Sequence, residues 1–79
     1  MYLSVTEVKA LDGYMLLLRF ENAEERVLDL KPYLDVGKFS ELRDLSLFRS
    51  VKVSFDTIAW SNQLDLDPEF LYRESVPKV

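Results

Sequence analysis

Val5-Thr6-Glu7-Val8-Lys9-Ala10-Leu11, then Asp12-Gly13, then Tyr14-Met15-Leu16-Leu17-Leu18-Arg19-Phe20 is the stretch on which the fold turns. Val8 and Ala10 alternate with Glu7 and Lys9, the period of a half-buried strand. Val5 breaks that alternation, as a bulge or a late strand start would. Asp12-Gly13 supplies residues favoured by a tight primed hairpin turn, whose two central positions both need φ > 0. Tyr14 to Phe20 then reads as a second strand with Tyr14, Leu16, Leu18 and Phe20 on one face. Met15 and Leu17 make its other face apolar too. That pattern fits a central strand covered on both sides, or one whose second face meets a partner.

Working outward, Glu21-Asn22-Ala23-Glu24 is a turn and Glu25 to Leu30 a third strand, so the first half is an antiparallel meander. Lys31-Pro32-Tyr33-Leu34 reads as one helical turn opened by Pro32, where the missing N–H is harmless, and ended by Gly37. Phe39, Leu42, Leu45 and Phe48 recur every three residues, which suits tight helical turns laid on the sheet, with Ser40 and Asp44 as caps. Val51, Val53 and Phe55 form a half-buried strand. Asp56-Thr57 turns it into Thr57 to Ser61, where Ile58 and Trp60 share a face. Asp67 at the N-cap, Pro68 at the first helical position and the staple pair Leu66 and Leu71 mark a final helix from Pro68 to about Glu74. The expectation is one α+β domain over residues 1–79. It has two layers: about five mostly antiparallel strands, a meander plus a hairpin, with short helices on one side. The final few residues are expected to fray.

Composition narrows the chemistry. The 79 residues contain no His and no Cys, and 10 basic residues stand against 14 acidic ones for a net charge of -4. Disulfides, thiolates, zinc cages and imidazole bases are thereby excluded. A core of this size supplies only about 3–5 kcal/mol without staples, so dense aromatic packing or association must help; a homodimer is expected. No apolar run approaches a membrane span, and Met1-Tyr2-Leu3-Ser4 has neither region of a secretion signal. The scattered Lys and Arg do not form the patch that nucleic acid requires. A cytoplasmic protein is expected, with no membrane or direct nucleic-acid partner.

The ordered motifs Asp29-Leu30-Lys31-Pro32-Tyr33-Leu34, Gly37-Lys38-Phe39 to Leu42, Phe48, Ile58-Ala59-Trp60-Ser61-Asn62, Leu64-Asp65-Leu66-Asp67-Pro68 and Leu71-Tyr72 resemble a bacterial family, domain-of-unknown-function family 2442. The likeness runs from about Val5 to Tyr72. Two positions depart from it: Ala23 and Gln63 stand where relatives commonly carry Gly, and Ala tolerates φ > 0 less well than Gly does. The resemblance implies a two-layer α+β domain. It also implies a neighbourhood that includes helix-turn-helix regulators and small proposed toxin components, but no mechanism. A chain ending at Val79 is expected to carry no appended DNA-binding domain.

No Gly-x-Ser-x-Gly elbow, Ser-x-x-Lys pair or phosphate-cradling loop is present, so an enzyme is not expected and no catalytic residue is assigned. Asp65, Asp67 and Glu69 could face a hard cation. Capping by Asp67, the helix dipole at Glu69 and solvent at Asp65 explain them without one, so neither metal nor cofactor is expected. Trp60 is a potential hot spot, although its phase with Ile58 favours the core. Asn62 fits a turn-shaping role. The candidate partner or ligand surface comprises Met15, Leu17, Trp60, Asn62, Asp65 and Tyr72, with Met15 and Leu17 the better interface residues. The expected function is a non-enzymatic interaction module, in one version an acidic antitoxin-like partner of a small basic toxin. The alternative is a small-ligand sensor or accessory domain, with its site between sheet and helices near Trp60 and Tyr72.

Overall fold

Three strands, β1 (Val5–Leu11), β2 (Met15–Phe20) and β3 (Glu25–Asp29), make the antiparallel meander in the computed structural model, which describes residues 3–78. Met1, Tyr2 and Val79, the ends of the expected 1–79 domain, lie outside the described residues. The pairing Leu16↔Leu28 and Leu18↔Arg26 on one side, with Val8↔Leu18 on the other, makes β2 central. The register slips between Val5 and Glu7, a bulge that lets Val5 turn inward and be buried.

After the meander the chain first turns helical. A 3₁₀ turn (Lys31–Tyr33) is followed by a 3₁₀ helix (Gly37–Arg43) and by α1 (Leu45–Phe48), which Asp44 caps through the N–H groups of Ser46 and Leu47. Ser40 does not cap; its hydroxyl donates to the Gly37 carbonyl from inside the 3₁₀ helix. Leu45 also departs from the every-third-residue pattern, being 47% exposed where the chain changes from 3₁₀ to α winding. A second antiparallel sheet, β4 (Lys52–Ser54), β5 (Thr57–Ala59) and β6 (Asp65–Leu66), precedes α2 (Pro68–Glu74). Asp67 caps α2 by accepting from the Glu69 N–H at 2.8 Å, and Pro68 opens it.

The expected α+β architecture is present, with seven strands in two sheets among the described residues rather than about five. The two additional strands, β6 and β7 (Val76–Pro77), are two residues long and therefore leave no alternation to read. β7 lies close to the C-terminal end of the described residues. It pairs with β3 through Val27↔Val76 and Arg26↔Pro77, and the edge position tolerates proline's missing donor.

Both hairpin turns fall one residue away from their expected places. Around Asp12-Gly13, Leu11 pairs with Met15, so Tyr14 lies in the turn rather than in β2, and the positive φ values belong to Gly13 and Tyr14 (76° and 59°). Around Asp56-Thr57, Ser54 pairs with Thr57, so the two-residue loop is Phe55-Asp56. Phe55 is therefore a turn residue at φ 58°, not a half-buried strand residue. Burial of Ile58 opposite Val53 sets this register, overriding the turn preferences of Asp56 and Thr57.

One core joins the two sheets and the helices. Leu16, Leu18, Phe20 and Leu28 from the meander meet Leu42 and Phe48, Ile58 and Trp60, and Leu71. Leu42, Phe48 and Leu71 thus bring the second 3₁₀ helix, α1 and α2 onto the core side of the four-stranded sheet. No helix among the described residues is long and apolar enough to cross a membrane.

Candidate interaction surface

With Leu16 and Leu18 inward, strand alternation sends the odd-numbered residues of the meander from Glu7 onward outward. The registers arrange them in rows across the sheet: Glu7–Arg19–Glu25, then Lys9–Leu17–Val27–Val76, then Leu11–Met15–Asp29. Leu11, Met15, Leu17 and Val27 are half-buried but do not pack against the core, and Val76 is 61% exposed. The result is an apolar stripe bordered by ion pairs: Arg19 with Glu7 at 3.4 Å, Lys31 with Asp29 at 3.2 Å and Lys78 with Glu25 at 3.7 Å. Such exposed pairs add little stability, about 0–1 kcal/mol each. They do hold the rim in place, and the Lys31 ammonium also reaches the Gly13 carbonyl at 3.0 Å and the Met15 sulfur at 3.7 Å.

A groove of about 600 Å³ adjoins this stripe, between β1 and β4. A backbone bond from the Val5 N–H to the Asp56 carbonyl at 2.9 Å ties the start of β1 to the loop that follows β4. Val8, Leu17, Val51 and Val53 give the groove apolar walls, while Lys9 and Lys52 stand at its edges. This concavity is not in the space near Trp60 and Tyr72 expected for a ligand, because those side chains are packed into the protein.

Of the six candidate residues, only Met15 and Leu17 share a surface. Trp60 is 2% exposed and its indole N–H donates to the Phe48 carbonyl at 3.0 Å, so it is a core residue. Asn62 shapes a turn: its carbonyl oxygen accepts from the Leu64 N–H and its amide donates to Glu41. Asn22 does the same for Glu24. The two turns share one bonding scheme, Ala23 N–H to Phe20 carbonyl and Gln63 N–H to Trp60 carbonyl, each closed by a return bond from the aromatic residue's own N–H. Asp65 is exposed in β6, apart from the others. Among the described residues no three Asp or Glu side chains converge on a point where a metal ion could sit.

Tyr72 belongs to a separate cluster that ties α2 and β7 to β3. Its hydroxyl donates to Glu24 at 2.8 Å, its ring stands edge-on to Phe20, and the Arg26 guanidinium lies 4.2 Å above the ring. Arg26 also donates to the Ser75 hydroxyl and carbonyl and pairs with Glu24 at 2.5 Å. The Arg26 hydrogen bond, then that from Tyr72, holds the Glu24 carboxyl below its ordinary range. The bond to Glu24, then burial, pushes the Tyr72 hydroxyl up. Every polar group in this cluster has a partner within the chain, which makes it a fastening.

Sequence reasoning missed Leu11, Val27 and Val76 on the outer face, and Phe55. Val27 was within reach of the alternation with Leu28 and Leu30, whereas Val76 required knowledge that the chain end returns to the sheet. Phe55 is 98% exposed.

A family model described as a protein of unknown function, DUF2442, matches residues 5–77. No curated protein and no solved structure matches the chain.

Proposed function

The chain belongs to the DUF2442 family, and on that premise we propose that it is a non-enzymatic interaction module of the bacterial cytoplasm whose contact surface is the outer face of the four-stranded sheet. The observation that carries this reading is the apolar stripe of Leu11, Met15, Leu17 and Val27, which lies outside the core of a domain with little apolar surface to spare. Contiguous apolar area left in water on a small protein marks contact sites. The partner is a protein of opposite charge, because the chain carries a net charge of -4 and opposite charge speeds and orients encounter. In its most concrete form, this is an acidic, antitoxin-like protein that covers a small basic toxin.

The test is capture from native bacterial lysate by the tagged wild type and by the double variant Met15→Asp/Leu17→Asp. The expected result is that the wild type recovers a small basic protein and the variant, folded by circular dichroism, does not. Recovery of no basic protein, or equal recovery by the two, overturns the proposal.

A further inference from the structure

We infer that Phe55 is a docking knob, and that the groove between β1 and β4 of a second copy of this chain receives it. This surface meets the stripe around Met15 at Leu17, which belongs to both, and the inference does not depend on the identity of any other partner.

Phe55 occupies the first position of the two-residue loop between β4 and β5, at φ 58°. A Cβ makes that left-handed conformation costly by roughly 1–2 kcal/mol, and Gly, Asn or Asp would be the ordinary occupant. Ordinary strain of this kind is offset by packing, yet the Phe55 ring is 98% exposed and gains almost no contact from its own chain. A strained, fully hydrated aromatic on a tight hairpin tip is a contact residue waiting for a cavity.

The chain itself carries a cavity of matching chemistry. The groove has an apolar lining of Val8, Leu17, Val51 and Val53, and its volume of about 600 Å³ is ample for one ring. β4 connects the two features: Val53 lines the groove and Phe55 follows two residues later, at the tip of the hairpin that β4 enters. Knob and groove therefore lie on one patch, which is what a two-fold interface needs, since each copy must present both halves of the contact. Charge favours the same choice. The protein is acidic overall, but the groove is lined by Lys9, Arg19 and Lys52 against Glu7 and Glu25, so this patch carries none of the net negative charge that sets two copies apart.

Sedimentation equilibrium of the full chain from micromolar to millimolar concentration tests this, with the variants Phe55→Gly and Met15→Asp. The wild type is expected to pass from monomer to dimer. Phe55→Gly is expected to raise the dissociation constant by about tenfold or more while unfolding no earlier than the wild type in dilute solution, where both are monomeric. Met15→Asp is expected to dimerise as the wild type does. A wild type that stays monomeric throughout, a Phe55→Gly variant that associates normally or is destabilised when dilute, or loss of the dimer in Met15→Asp each overturns the inference.

Discussion

Two hairpin tips in this protein hold an aromatic residue in the left-handed region, and they differ in everything else. At the first, Tyr14 has φ 59°, its hydroxyl donates to the Arg43 carbonyl at 2.6 Å, and its ring stands edge-on to Phe48 with centroids 5.2 Å apart. At the second, Phe55 has φ 58° and stands in water. The backbone penalty is the same at both. At Tyr14 it is offset inside the fold, because the ring ties the first hairpin to the helical segment. At Phe55 nothing inside the fold offsets it. Strain with an internal tether reports architecture, and strain without one points outward.

The most severe way to break this comparison is to remove the tether. Tyr14→Ala deletes the ring and the hydrogen bond but keeps the Cβ in the left-handed conformation, so unfolding in urea is expected to cost about 2–4 kcal/mol less than in the wild type. Tyr14→Phe, which loses only the hydroxyl, is expected to lose about 1 kcal/mol. If Tyr14→Ala unfolds at the wild-type midpoint, the two tips are equivalent and the distinction fails.

The Glu24–Arg26–Tyr72 cluster is a second internal tether, and it predicts a particular pH profile. The Glu24 carboxyl is held below its ordinary value of 4.5, so its contribution is present above that pH and is lost as pH falls through the depressed value. Tyr72 and Tyr33 are pushed above their ordinary value of 10.0, Tyr72 by its bond to Glu24 and then burial, Tyr33 by burial and then its bond to Glu74. Their contribution is complete below pH 10.0 and disappears as pH rises through the raised values. Stability should therefore fall on both sides of a broad neutral plateau. Glu24→Gln should flatten the acid side and leave the part of the alkaline side due to Tyr33. An acid limb as steep in Glu24→Gln as in the wild type would remove Glu24 from this role.

A smaller effect sharpens the comparison from the other direction. Among the described residues, Ala23 and Gln63 are the remaining non-glycine residues with positive φ, at 68° and 69°. Both sit at the same place in the two turns built on Asn22 and Asn62. Ala23→Gly removes a Cβ without removing a tether, and is expected to raise stability by about 1 kcal/mol in chemical denaturation. Gln63→Gly should do the same within error. A destabilised Ala23→Gly would mean that the left-handed positions are not strained.

These turns also show what was legible in the sequence and what was not. The meander could be read because Val8 to Phe20 repeats at period two for long enough to fix a face. The cap at Asp67 was equally plain, since its chemistry is local. Turn position was not, because each hairpin shifted by one residue to bury its strands correctly: the burial of Leu16 and Leu18 moved Tyr14 into the first turn, and that of Ile58 moved Phe55 into the second. Of the candidate surface, Met15 and Leu17 were visible as a second apolar phase in one strand. Val76 was invisible because its two-residue pairing with β3 brings together positions far apart in the chain.

The contrast between tethered and bare residues extends to the two faces of β2, where the central claim lies: Leu16 and Leu18 build the fold, and Met15 and Leu17 serve contact. Equilibrium urea unfolding of Met15→Ser/Leu17→Ser beside Leu18→Ala measures this directly. Leu18→Ala is expected to lose about 2–5 kcal/mol and the outer-face double variant to stay within about 1 kcal/mol of the wild type. A double variant as unstable as Leu18→Ala would show that the outer face is part of the core, and would contradict the account.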